Sequence, residues 1–261
     1  MQNIYTLQLF TNTDLEASQR RTLGVIRDSA LSLLRIIEDI LDMSSIEAGK
    51  MKLVVEPMDL RQTVEAAAET LRHYADQHNV LTSLKLDYRL PKTVRGDPGR
   101  IRQIVTNILG NGIKFSRRPK DDGIGHARLV VEPGANGGIR FVFTDDGIGI
   151  PSDFLAQIFE PFGRSDTVQT RRYNGTGLGL AIVQQLVTKM QGTISVSSAP
   201  GEGATFIVTL PLEVLEAERE RPDLSGLSVL LLGLDPLAEH FWQNTAERHS
   251  CGTDQRPGAR H

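Results

Sequence analysis

The stretch YNGTGLGLAIVQQLVTKMQG, residues 173–192, sets three alternating glycines in a loop that runs at once into a helix. Ile182, Val183, Leu186, Val187 and Met190 recur at the helical period and predict an inward apolar stripe, with Gly192 as the C-terminal stop. Gly175, Gly177 and Gly179 let the backbone approach a ligand closely, and the helix start offers unpaired N–H groups to an anion. No Lys-Ser or Lys-Thr follows the glycines and no strand immediately precedes them, so neither familiar phosphate loop fits. A structural turn explains such a loop equally well. Its meaning therefore depends on its companions.

One companion is TDDGIGI, residues 144–150, where acidic residues and two glycines follow the alternating strand residues Ile139, Phe141 and Phe143. A carboxylate at a strand end can accept a hydrogen bond from an exocyclic amine such as adenine N6, while Gly147 and Gly149 let a flat ring lie against the backbone. A surface turn is the plain alternative. Another is the helix RIRQIVTNILGNGIKF, residues 100–115. At about 100° per residue, Arg100, Gln103, Asn107, Asn111 and Lys114 share one sector, and Ile101, Ile104, Val105, Ile108 and Leu109 fill the opposite side. Asparagine is a poor helix former, so two of them one turn apart beside a lysine suggest oxygen ligands for a hard cation and a positive contact for phosphate. A solvated face is the alternative.

The rest of the chain frames these segments. Apolar residues Leu23, Ile26, Ala30, Leu33, Ile37 and Ile40 alternate at spacings of three and four, predicting a bundle helix over 19–44 capped by Asp14, with Ile4, Leu7 and Phe10 ending a preceding helix. Such a hairpin cannot bury its seam alone, so either dimerisation or an intramolecular core must cover it. Helices near 59–78 and 98–115 alternate irregularly with the strands ARLVVEP, GGIRFVFTD, GTISVSS and GATFIVTLP, an α+β pattern with a sheet covered by helices on one face. From about residue 213 the chain turns charged, then carries one apolar strand, LSVLLLG, and a polar tail. A formal charge of −3, from 29 basic and 32 acidic residues, gives no net pull toward nucleic acid. The single cysteine, Cys251, excludes an intrachain disulfide and a cysteine-rich zinc site and suits a cytoplasmic setting. The longest apolar run is too short to span a bilayer, so no membrane contact is expected of these residues, although a parent anchored in the inner membrane remains compatible.

In this order, NILGNGIKF, DDGIGI, FEPF and GTGLGLAI resemble the N, G1, F and G2 boxes of sensor histidine kinases, whose nucleotide domain is shared with gyrase B, MutL and heat-shock chaperones. LLRIIEDILDMSSIEAGKMKL resembles the second dimerisation helix and exit linker of the same family. The resemblance implies an α+β chain in three parts. These are a dimerisation hairpin over 1–50, a Bergerat-type α/β sandwich with a mixed sheet over 51–213, and a linker with the start of a degenerate receiver domain over 214–261. It further implies ATP and Mg²⁺ as ligands, with Asn111 on the metal, Asn107 and Lys114 beside the phosphates, and Asp145, Gly147 and Gly149 around adenine. A lid from about 151 to 173 would be packed by Phe159 and Phe162, with Arg171 or Arg172 reaching the triphosphate. Gly175, Thr176, Gly177, Leu178 and Gly179 would close over the phosphates. Implied partners are a second kinase chain, identical or different, through helix 15–43, and a response regulator or receiver domain.

Two departures stand out. Gly110 and Gly112 occupy places where the family more often has serine and alanine. The family's accepting histidine lies in a box ending in proline, and MQNIYTLQLF resembles the sequence that follows it; none of the histidines at 73, 78, 126, 240, 249 and 261 has such surroundings. The expected function is the catalytic core of a hybrid sensor kinase in a phosphorelay, transferring the ATP γ-phosphoryl group to a histidine these residues lack. The alternative is an ATP-binding pseudokinase that modulates an intact kinase by pairing through its bundle helix.

Overall fold

A computed structural model describes residues 16–116, 123–134, 137–161, 177–218, 228–230 and 252–254. Contacts divide the chain into Met1–Glu218 and Arg219–His261. In the second unit the described residues form one parallel pair, β9 (Ser228–Leu230) with β10 (Gly252–Asp254).

The first unit opens with helix α1 (Ala17–Glu47). Its cap is Glu16 rather than Asp14, which lies outside the described residues, and the Glu16 N–H donates to Gln19 Oε1 at 3.1 Å. The postulated first arm around Ile4, Leu7 and Phe10 also lies outside the described residues. The α1 seam is open, with Ile26, Leu33, Ile37 and Ile40 each about half exposed, at 48%, 58%, 45% and 47%.

Strand β1 (Glu56–Asp59) leads into α2 (Leu60–Glu69), whose first turn is closed by Asp59 Oδ1 accepting from Gln62 N at 2.9 Å. Helix α3 (Arg72–His78) ends at Asn79, which adopts φ 57°. Strands β2 (Val80–Leu86) and β3 (Pro91–Gly96) follow, then α4 (Pro98–Ser116). Asp97 starts α4: its Oδ1 accepts from Arg100 N and its Oδ2 from Val54 N, with Pro98 in the first-turn place that needs no N–H donor.

Five strands carry the main sheet, in order β2-β4-β5-β7-β6, with β4 (Gly125–Pro133), β5 (Ile139–Asp145), β6 (Thr193–Ser198) and β7 (Ala204–Leu210). The β2–β4 pair is parallel and the others antiparallel, giving the mixed sheet expected. Register places Leu129, Phe143 and Phe206 in one row and Val131, Phe141 and Val208 in the next, all buried. Alternation at period two therefore turns one face of each strand toward the helices.

Helix α4 buries Ile101, Ile104, Val105, Ile108 and Leu109 against that face. After β5 comes a single-turn helix α5 (Ser152–Leu155). Helix α6 (Gly179–Lys189) buries Ile182, Val183, Leu186 and Val187 beside α4, while Met190 is only partly buried. The stop of α6 differs from expectation. Gln191, not Gly192, adopts the left-handed conformation, with φ 59°. Gly192 is needed for a different reason: a Cβ there would fall on the Thr209 carbonyl oxygen.

A second sheet, β1-β3-β8, uses residues the sequence presents as charged linker. Strand β8 (Glu213–Glu218) pairs antiparallel with β3, helped by Lys92 to Glu216 at 3.1 Å and Arg95 to Glu213 at 3.0 Å. Between the sheets' helices lies Gly110, where an added Cβ would meet only Leu71 Cδ2, at 3.8 Å. Replacing it with alanine removes a helix-interior glycine without a clash, so Gly110→Ala is expected to raise stability by about 0.5–1 kcal/mol. Thermal or urea unfolding monitored by circular dichroism checks this, and a loss of stability would show that the position needs its glycine.

Candidate functional site

The C-terminal end of β5 is where the candidate residues meet. Asp145 closes the strand, pairs in register with Ala127 on β4 and Ala204 on β7, and accepts a hydrogen bond at Oδ1 from Gly147 N at 2.9 Å. The loop that follows is fixed on both sides. Ile148 N donates to the Phe115 carbonyl at the end of α4, Ile150 N to Ser198 Oγ, and Gly201 N to the Ile148 carbonyl. Asp146 is tied to β4, accepting from His126 N at 2.7 Å and lying 3.1 Å from His126 Nδ1.

Tight packing explains the glycines here. A Cβ on Gly147 would lie 2.7 Å from the Phe115 carbonyl oxygen and 2.8 Å from Asp145 Oδ1. Gly149 combines φ 69° with backbone contact to Ala199, and Gly203 combines φ 77° with contact to the Asp145 carbonyl. No other residue fits these places without moving backbone.

Beside Asp145 lies a small recess of about 10 Å³, room for little more than one water-sized sphere, lined by Ile108, Leu109, Gly112, Ala127, Phe143 and Phe206, among others. That is far below the few hundred Å³ of a typical ligand pocket, so the recess marks where one small group of a ligand can meet the carboxylate and does not itself hold a nucleotide. Burial pushes the Asp145 carboxyl up to about 6; the amides of Gly147 and Ala204 pull it down, and neighbouring Asp146 raises it further. The result is a desolvated acceptor facing an apolar recess. An amino-bearing flat ring matches that pairing.

On α4, Asn107 is buried and packs against the start of α6: a Cβ on Gly179 would lie 3.6 Å from its amide group. The segments 100–115 and 177–182 therefore meet, as a shared ligand site requires. Gly177 adopts φ 73°, and Leu178, buried, precedes the first turn of α6. Asn111 and Lys114 are partly exposed further along α4, with Lys114 Nζ 4.9 Å from the centre of the Phe115 ring. An amide oxygen and an ammonium group on this face suit a hydrated hard cation and a phosphate.

The polar face of α4 does not act as one surface. Arg100 Nη1 donates to Asp42 on α1 at 3.0 Å and Gln103 Nε2 donates to the same carboxylate at 2.7 Å. These two residues hold α1. Phe159 stands edge-on to Phe206, with centroids 6.5 Å apart. Phe162, Arg171, Arg172, Gly175 and Thr176 lie outside the described residues. His73 shares a hydrogen bond with Gln77, and His78 bonds the Tyr74 carbonyl and stacks on that ring, which fits structural roles for both.

Sequence reasoning did not single out Ala127, Phe143, Ser198, Gly203 or Phe206 for the site. Phe143 and Phe206 read as ordinary inward strand residues, and Ser198 and Gly203 gain importance only through the β6–β7 turn. Gly203, inside GEGAT, carried the one usable signal, a glycine directly before a strand.

Because the folded state raises the Asp145 pKa from 3.8 to about 6, it binds more protons than the unfolded chain between these values. Stability must then fall as pH rises through that window. Asp145→Asn is expected to stabilise the domain by about 1–2 kcal/mol at pH 7.5 and to have little effect near pH 4. Urea unfolding at the two pH values measures the difference; an equal effect at both would contradict the burial account.

Two family models match the chain: the histidine kinase-, DNA gyrase B-, and HSP90-like ATPase over residues 96–214, and the His Kinase A (phospho-acceptor) domain over residues 4–49. Residues 4–49 contain no histidine. The signal transduction histidine-protein kinase BarA of Escherichia coli (strain K12) is 38% identical over 207 residues, covering 79% of this chain and 22% of BarA. The circadian input-output histidine kinase CikA of Synechococcus elongatus is 40% identical over 219 residues, covering 82% of this chain and 28% of CikA. The chain thus spans only about a quarter of the length of these relatives. Among solved structures, full-length ShkA in complex with AMPPNP aligns with a TM-score of 0.74 and 28% identity, over 95% of this chain and 50% of that one.

Proposed function

We propose that this chain, which belongs to the sensor histidine kinases and carries their ATPase domain, binds ATP with its adenine against Asp145 and serves the transfer of the γ-phosphoryl group to a histidine. The observation that carries the reading is the pairing of a desolvated carboxylate with a largely apolar recess, bordered by Gly112, at the end of β5. Asp145 accepts from the exocyclic amine. Gly147 and Gly149 keep the loop low enough for the ring to lie against it.

From there α4 leads toward the phosphates. Asn107 holds the start of α6 in place, Lys114 balances phosphate charge, and the Asn111 side-chain oxygen serves as a Mg²⁺ ligand. Mg²⁺ commonly keeps several waters and takes few protein ligands beside a nucleotide, so a single amide oxygen is a fitting contribution. When bound, the ion neutralises charge that develops on the phosphoryl oxygens. Gly177, Leu178 and Gly179 line the entry to α6, whose N–H groups suit an anion. In this reading Phe159 and Phe162 would pack the lid, Arg171 or Arg172 would serve the triphosphate, and Gly175 and Thr176 would belong to the loop that closes over the phosphates.

The phosphoryl acceptor is a histidine supplied from outside these 261 residues, since the matched acceptor segment holds none. The half-exposed seam of α1 is the surface on which that acceptor's helices pack, in a homodimer or heterodimer through residues 15–43. A response regulator or receiver domain then takes the phosphoryl group. Domain bounds near 50 and 213, a receiver-like start after 214 and a cytoplasmic setting complete the reading; among the described residues no helix is long and apolar enough to cross a membrane.

Titration calorimetry of the chain with AMPPNP, with and without Mg²⁺, tests the proposal. Binding strengthened by Mg²⁺ and weakened at least about 10-fold by Asp145→Asn, a loss of about 1.4 kcal/mol, is the expected result. No binding to folded chain, or full binding by the variant, would overturn it.

A further inference from the structure

The glycines around Asp145 fall into two kinds. Gly147, Gly149 and Gly203 are sterically required, each pressed against backbone that a Cβ would strike. Gly112 is not. An added Cβ there would sit 3.5 Å from Ala127 Cβ, 3.5 Å from Asp145 Cβ and 3.9 Å from Asp145 Oδ2, all ordinary van der Waals contacts. It carries no left-handed φ and lies within α4, where alanine is the better helix former. Neither packing nor backbone conformation explains the missing methyl group. Its absence leaves a recess one methyl group wide, walled by Ala127 and opening on the side of the carboxylate.

We propose that Gly112 is a specificity-determining residue, and that its recess lets the site accept adenine nucleotides carrying a small alkyl group on N6 about as well as ATP. The inference rests on the reading of Asp145 as the acceptor for the adenine amine. An N6-monomethyl adenine keeps one N–H, which still donates to the carboxylate. Its methyl carbon must then lie within van der Waals reach of that carboxylate, and Gly112 provides the space. With alanine at this position the two methyl groups compete for the same volume. The surrounding wall cannot yield easily, because Ala127, Phe143 and Ile108 are all buried at 3% exposure or less.

The size of the recess also sets an upper limit. Leu109 and Phe206, both buried, are among the residues that line it, and a benzyl group on N6 exceeds the space that one missing methyl group leaves. Discrimination by a single methyl group in a tight pocket is commonly about 10-fold to 200-fold, large enough to measure.

The experiment is competitive calorimetry of the folded chain and its Gly112→Ala variant with ATP, N6-methyl-ATP and N6-benzyl-ATP. The ratio of the N6-methyl-ATP to the ATP dissociation constant is expected to be within about 3-fold of unity in the original chain and at least about 10-fold larger in Gly112→Ala. N6-benzyl-ATP is expected to bind the original chain at least about 10-fold more weakly than N6-methyl-ATP, a comparison that holds even if the variant fails to fold. A ratio already at or above about 10 in the original chain, or a ratio unchanged by Gly112→Ala, would overturn the proposal. Failure of the folded chain to bind ATP itself would overturn the underlying reading of Asp145, and the recess proposal with it.

Discussion

The end of β5 is the point on which the rest of the site depends. Asp145 sits at the last paired position of a central strand, and the next five residues are held by the carbonyl of Phe115 on one side and by Ser198 and Gly201 on the other. That grip brings together α4, the β6–β7 turn and β4, three elements distant in sequence. The cost is a carboxylate pushed into partial burial, with its pKa raised to about 6. A buried acceptor that its own fold does not favour in the charged form is poised for a donor from outside.

Why the surroundings can meet this closely is a matter of side-chain size. Gly147, Gly149 and Gly203 allow backbone to touch backbone, and the row Ala127, Asp145, Ala204 keeps neighbouring side chains small where the carboxylate emerges. One row further into the sheet, Leu129, Phe143 and Phe206 are large and buried, and Phe143 and Phe206 line the recess. Period-two alternation in three strands thus produces both the support and the opening.

Elements whose signal lies within a single segment were readable from the sequence. The stripe Ile182, Val183, Leu186 and Val187 specified α6, and the alternation of Ile139, Phe141 and Phe143 specified β5 and placed Asp145 at its end. Long-range pairing was not readable. Arg100 and Gln103 share a helical sector with Asn107, yet they bind Asp42, 58 and 61 residues away, on a helix whose packing periodicity alone left open. Strand β8 shows no apolar alternation because its described side chains are exposed and it is held at an edge by Lys92, Arg95 and Thr93. The stop of α6 misled for a simpler reason: glycine is favoured both for left-handed φ and for close packing, and at Gly192 the second use applied while Gln191 supplied the first.

The central claim is that Asp145 is a desolvated carboxylate whose charged form is completed by a nucleotide's amine. Carbon-13 NMR of the Asp145 carboxyl group, followed through pH with and without saturating AMPPNP, tests it directly. The account predicts a midpoint near 6 in the free domain and a lower one in the complex, because a donor to the ionised form lowers the pKa. A midpoint that stays put or rises on binding would contradict it, since the ligand would then be adding burial without supplying the hydrogen bond.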